Sequence, residues 1–325
     1  MTEITILGAG VMGLSIATEL AARGLTPRII DPAGKPGQQA CSWRAGGMLA
    51  PWCEAESAEP AVLRLGSSAA AWWQAQGAEV TWRGTLVLAP ARDLTELDRF
   101  ARLTRGHAAL GSEEIAALEP ELAGRFPRGL FFAEEAHLNP RAALLALRDR
   151  LAARGIAIET AGEPSGLVVD ARGLAARDEL PDLRGVRGEM LVLRCPEVVL
   201  TRTIRLLHPR IPLYVVPRGE GIYMIGATML ETGGKYRATA RSVVEMLSAA
   251  HTLHPGFAEA EIMELGSDAR PAFPDNLPRL RRRGNRLYAN GLYRHGYLLA
   301  PAVAAMAADH ITTGSRPEFM DEDHP

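Results

Sequence analysis

The chain has 325 residues, 47% of them apolar, and its 36 Lys and Arg stand against 38 Asp and Glu for a net charge of −2. This length and composition exclude a disordered chain and a tiny stapled scaffold, and imply one large or two interleaved domains with a real core. The balanced charge offers no footprint for nucleic acid or an anionic membrane, so the expected ligand is small.

In chain order, Thr5-Ile6-Leu7 completes a short apolar strand, Gly8-Ala9-Gly10-Val11-Met12-Gly13 follows, and Leu14 to Arg23 reads as a helix. That is G-x-G-x-x-G between a strand and a helix. Gly8 permits the tight turn, Gly10 lets backbone approach a pyrophosphate, and Gly13 lets the helix pack closely on the strand. The helix N-terminus then turns free N–H groups and a positive dipole end toward phosphates. A second strand, Pro27 to Ile30, ends at Asp31, at about the 20-residue distance where a carboxylate reaches a ribose hydroxyl and repels a 2′-phosphate. The pattern predicts a dinucleotide site that disfavours NADP, with NAD and FAD both open at this point.

The apolar opening Ile4 to Ala22 lacks a basic leader and contains Glu19 and three glycines, so it reads as strand, turn and helix rather than an export signal. No run of about 20 uninterrupted apolar residues predicts a spanning helix. Cys41, Cys53 and Cys195 are odd in number and form no C-x-x-C pair, so neither a disulfide framework nor a zinc knuckle is implied. A soluble, reduced, cytoplasmic protein is expected.

From Asp31 to Trp52 the chain is rich in Gly, Pro, Ala and Ser, including Ala45-Gly46-Gly47-Met48-Leu49-Ala50-Pro51, and such small residues let backbone approach a ligand. Ala58 to Gln76 and Leu94 to Leu103 read as helices, Val80 to Leu88 and Leu130 to Ala133 as strands. Pro140 to Arg154 is a predicted helix capped by Asn139, with Pro140 in its first turn. Ile156 to Thr160 is a short strand. Gly166 to Gly173 is another, ending in small residues suited to a second close approach to the dinucleotide. Glu189 to Leu193, Leu213 to Val216 and Gly221 to Ala227 read as strands of a second sheet, and Ala238 to Leu253 as a helix. Arg286 to Ala289 reads as a strand and Leu298 to Ile311 as an apolar helix that needs a buried home.

Several pieces together resemble the D-amino acid oxidase group of flavoproteins, and within it the glycine oxidases of thiamine biosynthesis. They are the N-terminal glycine turn, Ser42 to Pro51, Tyr214-Val215-Val216-Pro217-Arg218, Gly226-Ala227-Thr228-Met229, Ala269-Arg270-Pro271, and Gly291 through Pro301. The resemblance implies FAD as the dinucleotide. It implies a non-covalent flavin too, since no cysteine follows Cys195 to take the attachment known among sarcosine oxidases. The fold implied is α/β: a Rossmann-type FAD-binding domain of residues 1–80, 140–180 and 266–325, interleaved with a mainly antiparallel-sheet substrate domain of residues 81–139 and 181–265. Val11, Met12, Asp31 and Pro32 are placed at the adenosine and pyrophosphate. Cys41, Ser42, Gly46, Gly47 and Met48 fall beside the ribityl chain and ring, and Leu292, Tyr293, Arg294, His295, Gly296, Tyr297 and Leu298 along the flavin's pyrimidine edge. Arg270, Arg294 and Tyr214 would line the substrate pocket. Only Ala161 to Ser165 separates two strands where the family commonly has a β-meander near the adenine.

Oxidising an amino acid requires holding its carboxylate while the α C–H bond points at flavin N5. Arg294 offers two parallel donors for that carboxylate, with the permanent charge and rigid fork that Lys lacks. Tyr214 donates a hydroxyl to the same group, Arg270 orients substrate or stabilises reduced flavin, and Met48 and Met229 roof the α-carbon. Outside the family context Arg294 reads as an exposed turn arginine, Tyr214 as core, Arg270 as a loop brace and both methionines as core fillers. Backbone N–H groups near Gly296 to Leu298 stabilise negative charge on the flavin.

The expected reaction is oxidative deamination of glycine or another small amino acid to the imino acid, with oxygen reduced to hydrogen peroxide, supplying thiamine thiazole synthesis. A D-amino acid or sarcosine oxidase or dehydrogenase using another electron acceptor is the alternative, and a dinucleotide-binding regulatory protein the non-enzyme alternative. Expected partners are a small amino acid and molecular oxygen, without nucleic acid, membrane or metal; homo-oligomerisation stays open. The cluster Arg279, Arg281, Arg282 and Arg283 beside Gly284-Asn285 reads as a solvated turn, and Glu54, Glu56 and Glu59 as a solvated edge. His251 and His254 lack a carboxylate or cysteine at metal spacing, and no G-x-S-x-G elbow is present.

Overall fold

The short β-branched runs at the start of the chain find parallel partners far along it. In the computed structural model, which describes residues 3–208, 212–231 and 237–322, Ile4–Leu7 lies between Arg28–Ile30 and Leu167–Asp170, all parallel. Arg286–Asn290 pairs parallel with Leu167–Asp170, and Arg279–Arg283 folds back antiparallel beside it. Met320–Glu322 and Ile158–Glu159 complete the edges of this seven-stranded sheet. Ile6, Ile29, Val169 and Leu287 are fully buried in it, as strands covered by helices require. Helix Val11–Ala22 packs between helices Pro140–Ala152 and Gly296–Thr313.

Sequence accounts for the ends of these helices. Asn139 Oδ1 accepts the N–H groups of Arg141 and Ala142 at 3.1 and 3.5 Å, an N-cap followed by Pro140 at the first helical position. Gly314 ends the last helix in the left-handed region at φ 72°. Pro301 inside that helix has no N–H for the carbonyl of Tyr297, and the Trp73 indole N–H donates to that carbonyl instead, at 2.8 Å.

The second sheet has eight strands in the spatial order Glu261–Ala272, Arg184–Arg194, Ile222–Gly226, Leu213–Pro217, Thr203–Leu206, Thr85–Leu88, Arg128–Phe132 and Ala108–Gly111. All neighbours are antiparallel except Thr203–Leu206 with Thr85–Leu88. Helix Ala240–Leu253 covers it, burying Met246, Ala249 and Leu253 against Leu193, Val215 and Ile225. The segment expected as Glu189 to Leu193 is the middle of an 11-residue strand, paired along its length with the 12-residue Glu261–Ala272, which sequence reasoning missed. A third sheet of Met48–Leu49, Ala136–Leu138 and Val80–Thr81 lies where the two halves meet.

Three expectations need correction. The run Val80 to Leu88 is two strands in different sheets, broken at Gly84, which takes φ 74° with Phe131 and the Phe132 carbonyl packed where a Cβ would stand. Ala58 to Gln76 is two helices, Pro60–Gly66 and Ala69–Ala75, because Gly66-Ser67-Ser68 is a weak helix former and Leu298 fills the space beside Gly66. The arginine cluster is strand Arg279–Arg283 rather than a solvated turn. Arg281 is buried there, donating to both oxygens of Asp182 at 2.9 Å.

Candidate active site

A cavity of about 1030 Å³ runs between the two sheets, from the glycine turn at one end to Tyr214, Arg270 and Arg294 at the other. Its nucleotide end is backbone. Gly8 turns the chain at φ 98°, with the Ala171 carbonyl where a Cβ would collide. Gly13 sits so close to the turn that a Cβ would lie 1.9 Å from the Gly8 carbonyl oxygen. Gly10 differs: a Cβ there would meet only Ser42 Oγ at 3.6 Å and Ala40 Cβ at 3.9 Å, and would occupy the cavity itself. Helix Val11–Ala22 opens directly onto this space from Gly10, which supplies no side-chain cap; the Val11 N–H reaches Ser42 Oγ at 3.4 Å, and the N-terminal turn faces the site of an anion. Asp31 is fixed by the N–H groups of Ala9 and Ala33 at 2.8 and 2.9 Å, and lines the cavity beside Pro32. Its oxygens keep acceptor capacity for a ribose hydroxyl. Ala171 to Ala175, after the strand Leu167–Asp170, form the facing wall, where the small residues of that strand's end were expected. A bare glycine cradle, a helix N-terminus aimed into the cavity, an anchored carboxylate and the cavity's length fit a dinucleotide.

Cys41, Ser42, Gly46 and Met48 line the middle, as do Leu292, Tyr293, Gly296 and Tyr297 across from them. Four residues expected at the cofactor stand behind the wall instead. Gly13 supports the turn. Gly47, at φ 73°, lets the loop pass the Leu138 carbonyl and Pro140; Leu298 packs on Gly66; His295 turns to Glu54. The Tyr297 hydroxyl reaches the carbonyls of Ser42 and Pro140, both at 3.1 Å. Arg218, named in the sequence only as part of a motif, is half-buried behind the loop and donates to the carbonyls of Gly46 at 2.6 Å and Leu138 at 2.7 Å. Burial lowers its pKa to about 10.

The substrate end is made of side chains. Arg270 lines the cavity and donates to the Thr228 carbonyl at 3.2 Å, and no described carboxylate pairs with it. Burial lowers its pKa. Arg294 is differently placed. Its Nη2 lies 2.7 Å from Glu54 Oε2 and donates to Ser57 Oγ at 2.8 Å, so the fork expected to face a ligand already holds an acid of this chain. Tyr214 also points at Glu54, its hydroxyl 3.4 Å from Oε1, and burial pushes its pKa up to about 12. Met48 and Met224 present apolar surface beside Gly46, whereas Met229 is half exposed at the mouth, its sulfur 3.6 Å from the Tyr293 hydroxyl. Tyr293 takes φ 51°, an unfavourable value for a non-glycine residue, and its N–H is held by the Pro271 carbonyl at 2.9 Å.

Glu54 corrects the expectation of a solvated acidic edge. It is 6% exposed and lines the cavity, while Glu56 pairs with Arg205 and Arg99 and Glu59 alone faces solvent. His295 Nε2 lies 2.9 Å from Glu54 Oε2 and serves it as an N–H donor, leaving the buried Nδ1 with no described partner. Burial pushes the Glu54 carboxyl up, but the charge of Arg294 and the hydrogen bond from His295 outweigh it and hold it well below the usual carboxylate range. Residue 53 is gripped on both sides: its N–H donates to Glu135 Oε1 at 2.7 Å and its carbonyl accepts from Arg205 at 3.2 Å. Glu135 is fully buried, which pushes its carboxyl up to about 7.

No helix among the described residues is long and apolar enough to cross a membrane. Comparison with known proteins agrees with the geometry. A thiamine biosynthesis oxidoreductase, named ThiO, of Rhizobium etli is 51% identical over 317 residues, covering 96% of this chain and 97% of that protein. A glycine oxidase of Pseudomonas aeruginosa is 28% identical over 365 residues, covering 97% of this chain and 96% of that one. In fold, the crystal structure of glycine oxidase from Geobacillus kaustophilus superposes with a TM-score of 0.82 at 24% identity, over 98% of this chain and 96% of that one. The DAO family of FAD-dependent oxidoreductases matches residues 3–310, and the chain belongs to it.

Proposed function

We propose that the chain oxidises glycine, or an amino acid little larger, to the imino acid, with electrons passing through FAD to oxygen, and that the product serves thiamine biosynthesis. The observation that carries this reading is Arg270, a half-buried guanidinium in the cavity wall without a described carboxylate to match it. A half-buried, unmatched cation favours an anion, and the carboxylate of an amino acid fits its fork. The names of the Rhizobium and Pseudomonas relatives supply the amino acid and the pathway.

FAD, when bound, supplies a two-electron acceptor. Gly8, Gly10, Val11, Met12, Asp31 and Pro32 would hold its nucleotide, while Cys41, Ser42, Gly46 and Met48 would flank the ring with the segment from Leu292 to Tyr297. Arg270 would grip the substrate carboxylate and so fix the α-carbon against the ring, turning an encounter into a positioned contact. Met48 and Met224 would exclude water from that carbon. The uncapped N-terminus of helix Gly296–Thr313 would stabilise negative charge arising beside it. Tyr214 and Arg294 would shape the pocket through Glu54 rather than by binding the carboxylate first.

The test is a panel of glycine, sarcosine and D- and L-alanine given to the yellow holoenzyme without air, followed by peroxide measurement in air. Glycine should bleach the flavin fastest and release peroxide. A flavin that no amino acid reduces would end this reading, and bleaching without peroxide would point to another electron acceptor.

A further inference from the structure

We infer that Glu54 sets the charge of the substrate: by occupying the Arg294 guanidinium it leaves Arg270 as the single unmatched cation among the described residues of the cavity's substrate end, so the pocket takes amines with one carboxylate and turns away those with a second anionic group. The inference rests on the reading of this cavity as an amino acid site.

The charges at that end can be counted. Arg270 and Arg294 both line the cavity, and Glu54 lines it with them. Glu54 is bound to Arg294 at 2.7 Å and to His295 at 2.9 Å, with the Tyr214 hydroxyl 3.4 Å away. Another pair on the wall, Arg44 and Asp268, cancels itself at 3.3 Å. Among the described residues lining that end, one positive charge is left over, on Arg270. A monocarboxylate with a neutral amine balances it. A dicarboxylate would bring a second negative charge to this end, and would meet Glu54 already bound to Arg294. Arg294 is therefore a latent second clamp. Its fork is pre-oriented by Ser57 and Glu54, and its side chain keeps 16% of its surface open, twice the 8% of Glu54. An incoming carboxylate could use it only if Glu54 released it.

The experiment compares wild-type and Glu54→Gln holoenzymes titrated with acetate and with malonate, reading the shift in flavin absorbance, and then turned over with glycine and with iminodiacetate. Gln keeps the shape and can still accept from His295 and Tyr214, but cannot neutralise Arg294. The malonate-to-acetate affinity ratio should rise tenfold or more, and the iminodiacetate-to-glycine ratio of kcat/KM should rise with it. In the double variant Glu54→Gln, Arg294→Met the gain should vanish. Glu54→Asp keeps a charge in place for folding and draws it back by one methylene, so it should give a smaller gain in the same direction. Ratios unchanged in both single variants, or a gain that persists without Arg294, would overturn the inference. A malonate gain in a protein that oxidises no amino acid would support it and overturn the proposed reaction instead.

Discussion

At the nucleotide end of the cavity the groups on offer belong to the main chain, set by Gly8, Gly10 and the open end of helix Val11–Ala22, with Asp31 held by two backbone N–H groups. At the substrate end they are side chains that hold one another: Glu54 binds Arg294, His295 and Tyr214, and among the described residues lining that end only Arg270 is left without an acid. A main-chain site is sensitive to any added Cβ and indifferent to most side-chain chemistry. A side-chain site is the reverse, and each residue's charge depends on its neighbours, so removing one group there changes what the others do.

The largest effect is expected where the side-chain end has no internal compensation. Arg270→Met should lower kcat/KM for glycine about a thousandfold, the cost of leaving a buried carboxylate unpaired, while the flavin stays bound by its absorbance. A loss below tenfold would move the clamp to Arg294 and reverse the ranking of the two arginines. Next comes the layer beneath. Glu135 has its pKa raised from the ordinary 4.5 to about 7, so the folded chain binds that proton more tightly than the unfolded one. The stabilisation from it is complete below pH 4.5 and is lost as pH rises through about 7. Glu135→Gln should therefore be more stable than wild type at pH 8, by about 3 kcal/mol from the size of the shift, and gain nothing at pH 4. Denaturant unfolding at the two pH values checks this, and equal differences at both would show that Glu135 does not titrate in that range.

The main-chain end is tested by its two glycines. Gly10→Ala should fold as wild type but bind FAD roughly tenfold more weakly or worse, because its methyl would stand in the cavity. Gly13→Ala should instead damage the apoprotein itself, since its methyl would strike the Gly8 carbonyl. Flavin titration and apoprotein melting separate the two, and parallel behaviour would dissolve the distinction. Smallest is Asn139→Ala, which removes the cap of helix Pro140–Ala152 and should cost about 1 kcal/mol of stability without altering substrate selectivity.

The same contrast governs what could be read in the sequence. The glycine turn, Asp31 and the Asn139 cap are local patterns, complete within about 25 residues, so their spacing carries their geometry. Glu54 is not local: its partner His295 is 241 residues away, and Tyr214 is 160. Beside Glu56 and Glu59 it has the look of a wet edge, and only the folded chain brings three cationic or donating partners onto it. Arg281 was misread for the same reason, since Asp182 lies 99 residues off. Arg294 lines the cavity, but the sequence held no sign that its fork was already taken. Arg218 was quoted within a motif without a role, and its contacts are with carbonyls, which every residue has.

Leu167–Asp170 lies between Ile4–Leu7 and Arg286–Asn290, and Tyr297 reaches back to the carbonyls of Ser42 and Pro140. The flavin site is therefore stitched from segments made first and segments made almost last. On the ribosome, a nascent chain would display its glycine turn long before the opposite wall exists, and could not retain the cofactor until the stretch through Tyr297 had emerged. Flavin loading is then a late event in the life of each molecule, and a chain cut short before that stretch should leave the ribosome colourless however well its opening strands have formed.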